Sequence, residues 1–185
     1  ERAPLFFMTT IITRSLTCSF CNQSSSHPLL GSTNTLGMPD LDTRPAEMMR
    51  STMPLWVQEC PHCGHVAKDI SQPAHGSVRL YCGEGGWRGI PYHDYPELAA
   101  RFLKLADLQE AEGHTLEAGW SALRAAWTCD DSGDTAQAVT CRQRAIGYFA
   151  RTVGRVQLFP KEPGAMEAFY ADIHRRAGDF DGAVH

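Results

Sequence analysis

The amino-acid sequence predicts an α+β protein in which a small cysteine-containing β module is followed by antiparallel helices. Up to about residue 95 the chain of 185 residues is rich in Gly, Pro, Ser and Thr and has short β-like runs, whereas helical patterns fill the remainder. Two C-x-x-C pairs lie in the first part. We therefore place a domain boundary there, which gives predicted domains at residues 1–95 and 96–185.

Composition and charge define the class of protein. With 43% hydrophobic and 21% charged residues, the chain has the make-up of a soluble globular protein. Its formal net charge of −4 leaves no basic face, which argues against nucleic acid as a partner. Its apolar runs fall far short of the roughly 18 residues that a membrane span requires. We expect a cytoplasmic protein without a membrane segment.

The predicted β module rests on short runs of β-forming residues. Residues 9–17, 55–58 and 78–82 have this character. Gly and Pro then cluster in residues 83–96, which is typical of a connection between two structural units. The sequence thus predicts strands in the first part and a linker before the helices.

Four helices follow from the spacing of apolar side chains. Pro96 suits the first position of a helix that ends at Gly113, a third helix spans residues 135–153, and a fourth follows Pro163 and ends at Gly178. The stripes of the first two helices are Leu98, Phe102, Leu105 and Leu108, and Leu116, Trp120, Leu123 and Trp127. We expect both tryptophans to pack in the core.

A spacing of small residues recurs along these helices. In each occurrence a Gly lies seven residues after an Ala, and a second Ala lies five residues after that Gly. Gly can end one helix in the left-handed conformation, and the second Ala lets the next helix approach closely. The segment "AFYADIHRRAGDFDGAV", residues 168–184, resembles a tetratricopeptide repeat (TPR), as does the W-x-x-L-x-x-x-W spacing of Trp120, Leu123 and Trp127. The resemblance implies an antiparallel TPR-like helical array in residues 96–185.

The cysteine pattern points to a metal. Two C-x-x-C pairs supply the four tetrahedral ligands of a closed structural Zn²⁺ site, so we expect a zinc-ribbon-like module. Gly64 suits the tight turn of a zinc knuckle because glycine tolerates a positive φ. His62 and His65 are expected at the surface. The four predicted zinc ligands are Cys18, Cys21, Cys60 and Cys63.

A redox function is the alternative for the second pair. A thioredoxin-type oxidant needs its first cysteine at the N-terminus of a helix, where the helix dipole lowers the thiol pKa. The β-like run "HVA" follows the Cys60–Cys63 pair instead, which favours metal. Cys82, Cys129 and Cys141 are expected to be buried as small hydrophobic residues, and Cys82 could also lie near the site as a fifth thiol.

Residues 22–59 separate the two pairs and contain a compact charged turn. Asp40, Asp42 and Arg44 lie between two prolines and are a possible recognition loop; the alternative is that Arg44 pairs with one of the carboxylates and braces the loop. The segments "PDLDTRP" and "WVQECPHCG" resemble a bacterial family of unknown function that pairs a C-x-x-C/C-P-x-C-G zinc site with TPR-like helices. This resemblance implies the metal and the helices but no reaction.

These observations predict a non-enzymatic function. The sequence lacks the motifs of serine hydrolases, zinc proteases and P-loop nucleotide binders. We predict a zinc-binding protein-interaction module with a helical groove for a peptide or protein partner. The alternatives are a thiol oxidoreductase that uses the Cys60–Cys63 dithiol and a zinc-dependent nucleic-acid binder.

Overall fold

The computed structural model of the protein describes residues 9–152 and 162–184. Within these ranges the fold is α+β, as predicted, and its strands form three antiparallel pairs, β1–β2, β3–β4 and β5–β6. The strands are β1 (Thr10–Thr17), β2 (Ser24–Ser32), β3 (Gln58–Glu59), β4 (Val66–Ala67), β5 (Cys82–Gly83) and β6 (Gly86–Trp87).

Helices dominate the second part of the chain. The α-helices of the described residues are α1 (Val78–Tyr81), α2 (Glu97–Ala111), α3 (Thr115–Ser132), α4 (Thr135–Ala150) and α5 (Ala165–Arg176), and 3₁₀ turns form at Arg50–Leu55 and Gly182–Val184. The four predicted helices correspond to α2 to α5. None of these helices is both long and apolar enough to cross a membrane.

The boundaries of the long helices follow from local chemistry. Gly113 and Gly133 have positive φ angles of 79° and 77°, so they turn the chain at the ends of α2 and α3. Asp134 caps α4, because its carboxylate accepts a hydrogen bond from the backbone N–H of Gln137 at 3.1 Å. α4 ends at Ala150, and the last predicted residue of that helix, Val153, lies outside the described residues.

Aromatic packing joins α3, α4 and α5. Trp120, Phe149 and Phe169 have ring centroids 5.1–5.5 Å apart and form one cluster. Gly119 allows this close approach, because a Cβ atom there would lie 2.6 Å from the Phe149 ring. Trp127 is buried, as predicted, whereas Trp120 is only partly buried at the edge of the core.

The β module and the helices share one core. Met53, Val57 and Val66 of the first part belong to the same cluster of buried side chains as Phe102 and Leu123 of α2 and α3. Hydrophobic burial therefore stabilises both parts together. The boundary at residue 95 stays a prediction.

Four features of the first part differ from the prediction. Of the β-like run at residues 55–58, only Gln58 lies in a strand, because the 3₁₀ turn Arg50–Leu55 occupies its start. Residues 78–81 form the short helix α1 rather than a strand, because the preceding residues begin a turn in which the N–H of Val78 bonds the carbonyl of His75. Residues 83–96 were predicted as a connection, and they also complete the β5–β6 hairpin. Strand β2 was not predicted, and it pairs with β1 along its length.

Candidate metal centre

The first C-x-x-C pair forms the turn of the β1–β2 hairpin. The backbone N–H of Cys18 bonds the carbonyl of Gln23 at 2.9 Å, and the N–H of Asn22 bonds the carbonyl of Cys18 at 2.9 Å. Asn22 has a φ of 59°, a left-handed conformation that asparagine adopts more readily than most residues. This tight turn places the sulfurs of Cys18 and Cys21 on the same side of the chain.

The second pair forms the equivalent turn between β3 and β4. The N–H of Cys60 bonds the carbonyl of His65 at 2.8 Å, and the N–H of Gly64 bonds the carbonyl of Cys60 at 2.9 Å. Gly64 has a φ of 73°, as the sequence suggested for this position. Both pairs therefore present their thiols from hairpin turns.

The two turns bring four thiols together. Cys18 Sγ lies 3.8 Å from Cys63 Sγ, Cys21 Sγ lies 3.6 Å from Cys60 Sγ, and all four sulfurs lie within 4.8 Å of one another. All four cysteines are free, so no disulfide links them. Four ligands about 2.3 Å from a tetrahedral metal ion are about 3.8 Å apart. The cluster could therefore hold one metal ion.

A largely apolar layer surrounds the cysteines. Ile70 is fully buried among them, and Leu16 and Phe20 pack against the same cluster. His65 is buried rather than exposed, so the surface prediction for it was wrong. Its Nδ1 atom lies 3.6 Å from Cys18 Sγ, which makes it a polar neighbour of the cysteine cluster. His62 is exposed, as predicted.

Burial and hydrogen bonding together set the pKa values of these thiols. Desolvation raises the pKa values of Cys60 and Cys63 above the ordinary thiol value. Burial also acts to raise the pKa of Cys21, but hydrogen bonds from the Gln23 backbone and from the other thiols outweigh it, and the pKa falls. A metal ion would favour the thiolate form at all these positions.

The β5–β6 hairpin packs against the second turn. The N–H of Gly83 bonds the carbonyl of Cys63 at 3.2 Å. The neighbouring Cys82 is buried, as predicted, and burial raises its pKa to about 12, with the nearby Cys18 and Glu59 charges adding to the shift. Cys82 lies outside the group of four sulfurs.

The close approach of this hairpin predicts the effect of a glycine substitution. A Cβ atom on Gly64 would lie 2.5 Å from the Trp87 backbone nitrogen, so Gly64→Ala combines backbone strain with a steric clash. We expect it to lower the free energy of unfolding by about 2–4 kcal/mol in a denaturant titration.

Gly85→Ala is the matched control. Gly85 also has a positive φ, 90°, but a Cβ atom there meets nothing within 4 Å. We expect a loss of only about 1–2 kcal/mol, which is the backbone strain alone. Equal losses in the two variants would show that the hairpin does not press on Gly64.

The charged turn between the two cysteine pairs packs against the helices. Asp42 is fully buried, and its carboxylate accepts a hydrogen bond from Trp127 Nε1 at 2.9 Å. Arg142 and Arg176 lie 3.7 and 3.9 Å from the same carboxylate. Asp42 therefore joins the turn to α3, α4 and α5.

Arg44 and Asp40 of the same turn also form ion pairs. Arg44 is buried and forms ion pairs with Asp130 and Asp131 at the end of α3, so it pairs with the helix rather than with a carboxylate of its own turn. Asp40 is partly exposed and pairs with Arg50 at 3.3 Å. A recognition role for this loop stays a prediction, and Asp40 is its most accessible charged residue.

Comparison with known proteins adds no relative. The chain matches no protein-family model, and no curated protein or solved structure matches it. The arrangement of its own residues is therefore the basis for a functional proposal.

Proposed function

We propose that the chain is a zinc-binding protein-interaction module, in which a structural Zn²⁺ ion holds a zinc-ribbon-like pair of hairpins beside TPR-like helices. The four sulfurs lie within 4.8 Å of one another, and their 3.8 Å and 3.6 Å contacts are close to the spacing of tetrahedral ligands, which supports the zinc assignment. Four thiolates favour zinc over Mg²⁺ or Ca²⁺, which prefer oxygen ligands. They also leave no open coordination position, so the ion would act in folding and not in a reaction.

The helical packing supports the TPR-like part of the proposal. α3 and α4 are joined by a turn at the left-handed Gly133 and pack along each other. α5 ends before Gly178, which has a φ of 75°, and its Phe169 packs on Phe149 of α4. This order of helix, glycine turn and helix is the arrangement expected of stacked helical hairpins.

The exposed part of the inter-cysteine segment supports a protein or peptide partner. Leu36, Met38 and Leu41 expose 62%, 87% and 65% of their surface, although they lie within one short loop. Buried contacts of Asp42 and Arg44 hold the end of this loop against the helices. A loop with several exposed apolar side chains on a fixed base suits contact with apolar side chains of a partner.

Metal content and thiol reactivity test the zinc assignment together. We expect about one zinc per chain by elemental analysis. Four thiols should react with a thiol reagent only after a chelator is added, because metal-bound thiolates are protected. Chains that contain no zinc, and whose Cys60 and Cys63 are recovered as a disulfide, would contradict the proposal and favour the oxidoreductase.

The partner assignment requires a binding measurement on the zinc-loaded chain. Once a partner is isolated by affinity capture, Met38→Ser combined with Leu41→Ser should weaken its binding at least about 10-fold in calorimetry, because exposed apolar anchors dominate such contacts. Leu80→Ser is the matched control, since Leu80 is 71% exposed but lies on α1. Equal affinities for both variants would exclude this loop as the contact surface.

The redox alternative has less support. Cys60 and Cys63 are only 1% and 2% exposed, whereas a catalytic dithiol must be reached by its substrate. The pair lies in a turn between two strands and not at the start of a helix, where a helix dipole would activate the thiol.

A further inference from the structure

A second group of potential metal ligands lies apart from the cysteines, beside a cavity of about 290 Å³. Three separate segments contribute to it: the end of α2 provides Glu112, the turn before α3 provides His114, and the loop before α1 provides His75. Gly113 has a positive φ of 79° and turns the chain between Glu112 and His114. His75, Glu112 and His114 all line the cavity.

The Glu112 carboxylate is oriented toward the two histidines. Ser77 Oγ donates a hydrogen bond to Glu112 Oε1 at 2.6 Å, which fixes one oxygen. The other oxygen, Oε2, lies 3.4 Å from His114 Nδ1 and 4.0 Å from His75 Nε2. The two imidazole rings meet edge to face with centroids 5.7 Å apart. One carboxylate oxygen therefore faces two imidazole nitrogens, although the three donor atoms do not all lie within 4.8 Å of one another.

The charge of this carboxylate is incompletely balanced. The Glu112 side chain is only 13% exposed, and among the described residues its ion-pair contacts are with His75 and His114 and not with Lys or Arg. Lys and Arg carry a permanent charge, whereas an imidazole is charged only when both of its nitrogens are protonated. A partly buried carboxylate without a permanent cation beside it is stabilised by a bound cation.

We propose that His75 Nε2, Glu112 Oε2 and His114 Nδ1 form a second metal site that binds a divalent transition metal such as Zn²⁺ or Co²⁺. Nitrogen and oxygen ligands about 2.0–2.1 Å from a tetrahedral ion are about 3.4 Å apart, the distance already present between Glu112 and His114. His75 completes the site by a rotation of its side chain that brings Nε2 closer to both partners, which its 64% exposure permits.

This site differs chemically from the cysteine cluster. Two histidines and one carboxylate leave at least one coordination position for water or another small ligand, whereas four thiolates leave none. His65 lines the same cavity and also contacts Cys18, so it lies between the two sites. The second site goes beyond the proposed structural zinc and does not depend on it.

Cobalt titration of the full chain tests the site. The chain is first loaded with one equivalent of Zn²⁺, and Co²⁺ is then added while the absorption spectrum and the heat of binding are recorded. Thiolate ligands give intense sulfur-to-cobalt charge-transfer bands, whereas a site with nitrogen and oxygen ligands gives only weak visible bands. We expect one further equivalent of Co²⁺ to bind without charge-transfer bands.

Three variants and one control assign the ligands. Loss of an outer-shell partner alone weakens metal sites by about 10–100-fold, so His75→Ala and His114→Ala should each weaken this Co²⁺ binding by about 100-fold or more. Glu112→Gln should do the same, although its side-chain oxygen can still accept the Ser77 hydrogen bond. His93→Ala is the control, because His93 is also exposed but lies beside another cavity.

Two outcomes would overturn the proposal: Co²⁺ that binds only at millimolar concentration, or affinities that are the same in His75→Ala and His93→Ala. Because the charge-transfer bands report the cysteines separately, a failure of the structural zinc site is recognised by the same titration. If the cysteines did not bind Zn²⁺, the added Co²⁺ either binds to them and gives charge-transfer bands or does not bind to them at all. In both cases the weak visible bands still report the second site.

Discussion

Replacing Cys63 by serine is expected to abolish metal binding and cooperative folding together. A structural zinc site contributes about 10–16 kcal/mol to folding, which is as large as the whole stability of a typical domain, about 5–15 kcal/mol. The Cys63 sulfur lies 3.8 Å from that of Cys18, and its loss would remove one of the four ligands. The measurements are zinc content by elemental analysis and thermal unfolding followed by circular dichroism.

Cys82→Ser provides the matched control for this experiment. Cys82 is a buried thiol of the adjacent β5–β6 hairpin, but it is not one of the four clustered cysteines. Its replacement buries a hydroxyl group at a cost of about 1–3 kcal/mol, so we expect reduced stability with full zinc content. A Cys63→Ser chain that keeps its zinc and unfolds cooperatively would contradict the prediction, as would equal loss of zinc from both variants.

The second large effect is expected at Asp42, which packs against α3, α4 and α5. Asp42→Ala removes a fully buried carboxylate that accepts the Trp127 N–H and faces Arg142 and Arg176. Removing one partner of a buried ion pair costs about 3–5 kcal/mol, because the remaining charge stays buried without compensation. A denaturant titration followed by tryptophan fluorescence measures this loss.

Asp40→Ala is the matched control, because it removes a carboxylate of the same turn that is partly exposed instead of buried. Asp40 also contacts Arg176, at 3.9 Å, but its side chain is 37% exposed. We expect it to lower the free energy of unfolding by no more than about 1 kcal/mol, as for other exposed ion pairs. If both aspartates prove equally unimportant for stability, the loop does not brace the helices.

The helices were predictable because their signals are local. The apolar spacing of α3 and the turn-forming Gly133 occur within one stretch of chain and require no distant contact. The strand prediction was wrong for residues 78–81 for the converse reason. So short a run suits several structures, and the turn begun by His75 selected the helix. Strand β2 contains Pro28 and Gly31, which hid its pairing with β1.

The sequence predicted the four cysteines of the candidate metal centre but not the residues that pack around them. Two C-x-x-C pairs identify their cysteines by spacing alone. The contact between Asp42 and Trp127 joins residues 85 positions apart, and no local pattern indicates it. His65 shows the same limit, because its neighbour Cys18 comes from the other hairpin. Spacing therefore identified the thiols, whereas the residues around them depend on tertiary packing.

The shared core has a consequence for how metal and partner influence each other. Met53, Val57 and Val66 of the first part and Phe102 of α2 belong to one buried cluster, so a Zn²⁺ ion bound as proposed would stabilise the same state as the folding of the helices. A partner that binds only this folded state must then bind more tightly as zinc rises. Thermodynamic reciprocity requires that the partner increase the affinity for zinc by the same factor. A higher concentration of either zinc or the partner would thus shift the same folding equilibrium toward the folded chain.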